Sequence, residues 1–281
     1  MAILGVDHVV LATADVDAAA ADLEARLGLV ATGGGRHEQL GTRNRLVWLG
    51  DSYLELVGVD DPDRARASWF GRPVLAAIKA GGGLVTWAIA VDDLDEALRW
   101  APPDSGLIGP IDGERRREDD RIVRWRLARP DAAGPVAPFL IEHDPTAAEW
   151  TRAERDARSE DVHPAGGRVR LVGLEIRAAS PAVVGGRLRR QLAVAVEPAG
   201  RAAVRVRLAD HEVRLAAVPD DRPPALVDLV VAAPIRTRTA AIGDCRIRLR
   251  GQPVAAPASA AREGSSGGPA GSSEGGSAEG V

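Results

Sequence analysis

The chain has 281 residues, 45% of them hydrophobic but only 3% aromatic, and a formal net charge of −4. That length holds one large or two moderate domains, with a core filled by Val, Leu, Ala and Ile rather than by rings. Acids and arginines are interspersed, as in GERRREDDR (Gly113 to Arg121), which excludes the basic footprint of a nucleic-acid binder. The lone Cys245 excludes an intrachain disulfide and a cysteine metal cluster. No apolar run approaches the ~18 residues of a membrane span, and the start lacks a basic and apolar leader, so the expectation is a soluble, cytoplasmic protein without a membrane partner.

The first segment, GVDHVVLATADVDAAAADLEARLGLV, begins as a strand in which Val6, His8 and Val10 face one way and Val9 and Leu11 the other. Asp15 is placed to cap a helix with the stripe Ala18, Ala19, Leu23 and Leu27, and Gly28 closes it. Three strand-like runs follow: LVATGG, NRLVWLG and SYLELVGV, the last two joined through Gly50-Asp51. The order is strand, helix, strand, strand, strand.

A second copy starts at Gly83. GLVTWAIAVDDLDEALRW runs against the first without a gap, Gly83 on Gly5 and Asp93-Leu94-Asp95 on Asp15-Val16-Asp17. GLIGPIDG, RIVRWRLARP and PFLIEHDP then supply three more strands. A weaker third copy begins at VRLVGLEIRAASPAVVGG. Internal duplication therefore organises the chain: units at 4–60, 83–145 and 168–251, linkers at 61–82 and 146–167, and a tail at 252–281. The tail, rich in Gly, Ser, Ala and Pro, is expected to be disordered. The fold class is α+β, with repeated βαβββ units forming a curved mixed sheet around a cleft and helices outside.

In order and spacing, VDHVVLATADVD, GGRHEQLGTRN, YLELVGV and PFLIEHD resemble the glyoxalase-like domain family of the vicinal oxygen chelate superfamily, which includes glyoxalases, extradiol dioxygenases and bleomycin-resistance proteins. The likeness covers residues 4–145, and the third unit only in pattern. It implies metal ligands from the first and last strand of each unit, facing the cleft. His8 and Glu55 match in the first unit and Glu142 in the second. Thr86 stands against His8, so the second unit lacks its histidine. The implied set is His8, Glu55 and Glu142, with His37 as a replacement fourth ligand, around a divalent ion such as iron, manganese, zinc or nickel.

The residues themselves carry part of this. Tyr53, Glu55 and Val57 share one face of their strand and Leu54 and Leu56 the other, so Glu55 points into the cleft. Carboxylates in strand interiors need an arginine, a metal or a ligand; Arg45 and Arg124 are the arginines at hand. A lone His8 on an apolar strand is more often a satisfied core group than a ligand. His37 follows Gly33–Gly35, whose freedom admits close approach of backbone to a ligand, and suits a binding loop or a plain turn equally. Asn44 either orients His37 or a substrate carbonyl, or satisfies the turn. His143, next to Glu142, faces the other way and reads as structural; His163 and His211 receive no role. Trp48, Trp69, Trp87 and Trp125 read as core fillers, with Trp87 nearest the position left open at Thr86. Neither glycine run has P-loop or dinucleotide-site context, and no serine elbow is present.

Two functions stay open. One is a metal-assisted isomerase, lyase or epimerase acting on a small oxygenated metabolite, with Glu55, Glu142 or His37 moving a proton and Asn44, Thr86 and Trp87 at the substrate. Its dioxygenase form requires His37 to join His8 and Glu55 in the cleft. The other is a metal-free cleft binding an antibiotic-like small molecule, which the Thr86 replacement suits. Buried ion pairs with arginine would be a structural outcome. Either a monomer or a homodimer accommodates paired units.

Overall fold

Asp15 and Asp93 occupy matching places in two copies of one unit, and each caps a helix. The Asp15 carboxylate accepts from the backbone N–H of Asp17 and Ala18, both at 3.0 Å, and Asp93 from Glu96 at 2.7 Å, satisfying donors that a helix start leaves unpaired. The computed structural model describes residues 2–131, 134, 136–149, 151–218, 225–233 and 235–252, so the tail beyond Gln252 lies outside the described residues. Among them no helix is long and apolar enough to cross a membrane.

The first unit is β1 (Ile3–Ala12), α1 (Val16–Leu27), β2 (Gly34–His37), β3 (Thr42–Leu49) and β4 (Ser52–Val59). Helix α1 buries Val16, Ala19, Ala20, Leu23 and Leu27, while Ala18 is exposed; Gly28, at φ 70°, ends it by donating to the Glu24 and Leu23 carbonyls. The stretch read as the first linker folds as α2 (Pro62–Ala67) and α3 (Gly71–Lys79). The second unit is β5 (Gly83–Val91), α4 (Leu94–Trp100), β6 (Leu107–Arg117), β7 (Ile122–Pro130) and β8 (Phe139–His143).

The two units close on each other. Strand order is β1-β4-β3-β2-β6-β7-β8-β5, a complete barrel. β1 is parallel to β4, with Val10 opposite Glu55, and antiparallel to β5, with His8 opposite Ala88 and Val10 opposite Thr86. The seam is β2 against β6, Gly35 beside Arg117. Here the glycine run has its use. A Cβ on Gly34 would stand 2.3 Å from the Asn44 carbonyl oxygen and one on Gly35 2.0 Å from that of Arg116. The close approach is to neighbouring strands, not to a ligand, and it lets the sheet shut.

After α5 (Arg152–Ala157) and a π-helical turn, residues 168–251, read as one divergent unit, hold seven strands. These are β9 (Val169–Ala178), β10 (Val196–Pro198), β11 (Ala203–Leu208), β12 (His211–Ala217), β13 (Ala225–Val231), β14 (Arg238–Ile242) and β15 (Cys245–Gly251), with α6 (Pro181–Leu192) after β9. Their order, β10-β11-β12-β9-β13-β15-β14, repeats that of the barrel. β9 lies parallel to β12 and antiparallel to β13, as β1 does to β4 and β5. The half from β13 to β15 has three strands and no helix among the described residues, where the barrel's second unit has four strands and α4, and this sheet stays open.

One apolar core spans both modules: Val6, Val9 and Leu11 of β1, Leu23 of α1 and Trp87 of β5 join Leu174, Ile176, Val227 and Ile247 of the open sheet. Two histidines pin the modules together. His211 accepts from Val6 N–H through Nδ1 at 3.2 Å and meets Ser52 Oγ through Nε2 at 3.1 Å. His163 accepts from Val30 N–H at 3.0 Å and donates to the Trp48 carbonyl at 2.6 Å. Burial pushes both imidazoles below their ordinary pKa.

Candidate functional site

The barrel encloses a cavity of about 260 Å³. Its rings are Trp48, Tyr53, Trp69, Phe70, Trp125 and Phe139; its polar groups include His8, His37, Asn44, Glu55, Arg115, His143 and Glu149. A glycine makes room for one wall: a Cβ on Gly113 would lie 2.2 Å from the Trp125 indole nitrogen.

A bulge in β1 builds the centre. The pairing with β5 shifts register between Val6 and His8, which breaks strict alternation. Val6 therefore packs with Val9 and Leu11 in the outer core, not with His8 and Val10. Asp7 and His8 are both buried, at 5% and 3% exposure. One Asp7 oxygen lies 2.6 Å from His8 Nδ1 and the other 2.9 Å from His143 Nε2. Burial alone would raise the Asp7 carboxyl, but the charge and hydrogen bond of His143, with those of His8, hold it well below the carboxylate range. His143 shows the reciprocal balance: burial pushes down, and the Asp7 charge and hydrogen bond win, raising it.

Glu55 is the second centre, 5% exposed. Asn44 Nδ2 donates to its Oε1 at 2.7 Å, which fixes the amide orientation, because a carboxylate only accepts. His8 Nε2 stands 3.6 Å from Oε2 and His37 Nε2 3.9 Å from Oε1. The far nitrogen of each ring is engaged: His8 Nδ1 by Asp7, His37 Nδ1 by Thr42 Oγ1 at 3.0 Å. With Asp7 ionised, His8 Nδ1 donates to it, which leaves Nε2 facing Glu55. Burial drops the His37 imidazole to about 4, so it is neutral at pH 7. His8 also stacks on Tyr53 at 4.6 Å between ring centres.

A third cluster joins Arg115, 4% exposed, to Glu149, 6% exposed. Arg117 reinforces the pair, donating to the Glu149 carbonyl at 2.8 Å and approaching its Oε1 to 3.0 Å.

The structure brings His8, His37, Asn44 and Glu55 around one cavity and leaves out three residues read as site members. Glu142 is half-buried on the face of β8 turned away from the cavity, paired to Arg126 at 3.4 Å. Phe139, Ile141 and His143 are the inward residues of that strand, so the adjacent histidine, read as structural, takes the inward place. Thr86 is buried beside the cavity rather than in it and donates to the Ala137 carbonyl at 3.2 Å. Trp87, fully buried, belongs to the outer core. Neither suggested arginine serves a glutamate of the site: Arg45 reaches Asp17 and Glu118, and Arg124 reaches Glu114. Sequence reading missed Asp7, Arg115 and Glu149. Strand periodicity through Gly113, Arg115 and Arg117 held a signal for Arg115; Asp7 needed the bulge, and Glu149 lies in a loop.

The family's histidine and glutamate set is not assembled, since Glu142 points outward. Among the described residues no group of three or more His, Cys, Asp or Glu side chains is spaced to hold a metal ion. Tetrahedral ligands at ~2.0–2.2 Å from one ion stand about 3.3–3.6 Å apart; His8 meets that spacing to Glu55 at 3.6 Å and His37, at 3.9 Å, stands beyond it. In kind the donors do suit a divalent ion: two imidazole nitrogens, each oriented through its other nitrogen, and one carboxylate.

Comparison with known proteins agrees with this architecture. A family model described as glyoxalase-like domain matches residues 6–192. No curated protein matches. A solved hypothetical protein from Staphylococcus aureus superposes with a TM-score of 0.71 at 15% identity, covering 88% of this chain and 99% of its own. Methylmalonyl-CoA epimerase from Mycobacterium tuberculosis gives 0.38 at 22% identity over 51% of this chain and 91% of its own. A Streptomyces coelicolor methylmalonyl-CoA epimerase variant, solved in complex with 2-nitronate-propionyl-CoA, gives 0.37 at 22% identity over 50% of this chain and 97% of its own.

Proposed function

The chain belongs to the glyoxalase-like domain family, and from that premise we propose that the barrel cavity is an active site which moves a proton on a small oxygenated metabolite, in isomerase, epimerase or lyase chemistry. The observation that carries this reading is the convergence on Glu55: a buried carboxylate positioned by Asn44, with two imidazole nitrogens facing it. Glu55 takes the proton from a carbon next to a carbonyl, and Asn44 holds the carboxylate in place while it does so. His8 is held in place through Asp7, and neutral His37, taking the Thr42 hydroxyl proton at Nδ1, presents Nε2–H as a donor to the negative charge that develops. The aromatic walls exclude water, which strengthens each of these interactions.

Solvent exchange tests this. The protein is incubated in heavy water with a panel of small carbon acids, and loss of the proton next to the carbonyl is followed by NMR. Exchange that falls ~10²–10⁴-fold in Glu55→Gln is the expected result. Exchange indifferent to Glu55, or none with any member of the panel, sinks the reading and leaves a binding cavity.

A second reading is favoured by the anchoring of both imidazoles through Nδ1. It adds a divalent ion held by His8, His37 and Glu55, which would polarise the substrate carbonyl. Elemental analysis after reconstitution with iron, manganese, zinc or nickel decides it: metal retained by the wild type and lost from folded Glu55→Gln supports it, and none retained removes it.

A further inference from the structure

Four polar atoms of the cavity wall are buried without a hydrogen-bond partner. Glu149 Oε1 is held in the ion pair with Arg117 at 3.0 Å and Arg155 Nε belongs to a side chain 23% exposed, which leaves Asn44 Oδ1, an acceptor, and Arg115 Nη1, a donor. Their residues are 5% and 4% exposed. Buried polar groups are almost always paired, and leaving one unpaired costs as much as a lost hydrogen bond, so each orphan calls for a partner from outside the chain. Neither can be satisfied by turning the side chain. Asn44 is fixed by the hydrogen bond its Nδ2 donates to Glu55, and Arg115 by its Nη2 pair with Glu149.

The two orphans ask for opposite chemistry. Asn44 Oδ1 needs a donor such as a hydroxyl. Arg115 Nη1 needs an acceptor, which a carboxylate supplies: Arg155 and His143 line the same cavity, and of the wall's carboxylates, Glu55, Asp112, Glu114 and Glu149, the one beside Arg115 is already paired to Arg115 and Arg117. Arg155 is partly engaged by Asp51 at 3.6 Å.

We infer that the cavity takes a small 2-hydroxy carboxylic acid, or the enol of a 2-oxo acid. Its carboxylate meets Arg115 Nη1, its hydroxyl donates to Asn44 Oδ1, and an apolar side chain lies on the aromatic wall. Glu55, bonded to the same asparagine, then stands beside the carbon that bears the hydroxyl. This rests on the reading of the cavity as an active site and names the substrate class for it.

The test is calorimetry with three probes that share a phenyl ring: mandelate, mandelamide, which lacks the charge, and phenylacetate, which lacks the hydroxyl. Wild-type protein should bind mandelate roughly tenfold or more tightly than mandelamide, as expected for one charge-assisted hydrogen bond, and several-fold more tightly than phenylacetate. Arg115→Gln should close the first gap and keep the second. Equal affinity of mandelate and mandelamide in the wild type overturns the proposal, as does failure of mandelate to bind. The ligand-side comparison decides the matter even where Arg115→Gln does not fold. Proton exchange at Glu55 without the carboxylate preference would remove only the substrate class; the preference without exchange would remove only the reaction.

Discussion

Replacing Asp7 by asparagine removes one charge from the centre of the site while keeping its shape. Asp7 gives one oxygen to His8 and the other to His143; asparagine has a single carbonyl oxygen and serves one imidazole. At least one charge-assisted hydrogen bond is lost, about 1.5–3 kcal/mol, and a half-buried imidazolium at His143 loses its counter-charge, so the total should reach about 2–4 kcal/mol. The loss depends on pH in a defined way. Asp7 is depressed from 3.8 and His143 raised from 6.5. The carboxylate's contribution is present above 3.8 and fades as pH falls through its folded value. The imidazolium's is present below 6.5 and fades as pH rises through its folded value. The deficit of Asp7→Asn should therefore be greatest at about pH 5 and shrink by about pH 9. Urea unfolding at both values, with an NMR titration of His143, measures it. A deficit under about 0.5 kcal/mol, or one equal at both pH values with His143 titrating unchanged, refutes the bridge.

In the metal-free protein His37 should titrate near 4 by NMR; a midpoint near its ordinary 6.5 would mean the ring is open to water. Gly113→Ala drives a methyl group into Trp125 and should cost about 1–3 kcal/mol while shifting the indole fluorescence; unchanged fluorescence and stability would show that the wall has slack. His211→Ala strands Val6 N–H and should cost about 1–3 kcal/mol at about pH 8. Because burial depresses the His211 pKa, the wild type itself loses stability as pH falls below 6.5, so this deficit should narrow in acid. A deficit that widens in acid contradicts the neutral pin.

Most of the fold was legible because it repeats. Asp15 and Asp93 announce the same helix start twice, and period-two burial marks β13 and β15, whereas β1, β4 and β5 are buried on both faces. Closure was not legible: Gly34 ended the strand-like run LVATGG and Gly33–Gly35 suited a binding loop or a plain turn, since only the neighbouring Asn44 and Arg116 carbonyls reveal what a Cβ would strike. In the site, Glu55 follows from alternation with Leu54 and Leu56. The same rule reversed Glu142 and His143, because which face of a short strand turns inward is set by its neighbours β5 and β7. Asp7 was invisible for a similar reason: a bulge is a property of two strands, and one strand's sequence does not declare it. His163 and His211 lie far along the chain from what they hold, so no local pattern assigns them.

The unsealed sheet carries a consequence for how this chain tolerates change. The shut barrel has an inside, and every inward residue there answers to volume and charge at once. The open copy has a charged face instead, where Arg214 pairs with Glu175, and Arg248 and Arg250 share Asp228. Solvent forgives exchanges at its arginines, 36–46% exposed, more than at its carboxylates, 17–19% exposed. Random substitution should therefore scatter freely across the outer face of β11, β12 and β15 and be purged from the inward face of β1, β4 and β6. Of two copies of one architecture, one is constrained on both faces of its sheet and the other chiefly on the face that joins the shared core.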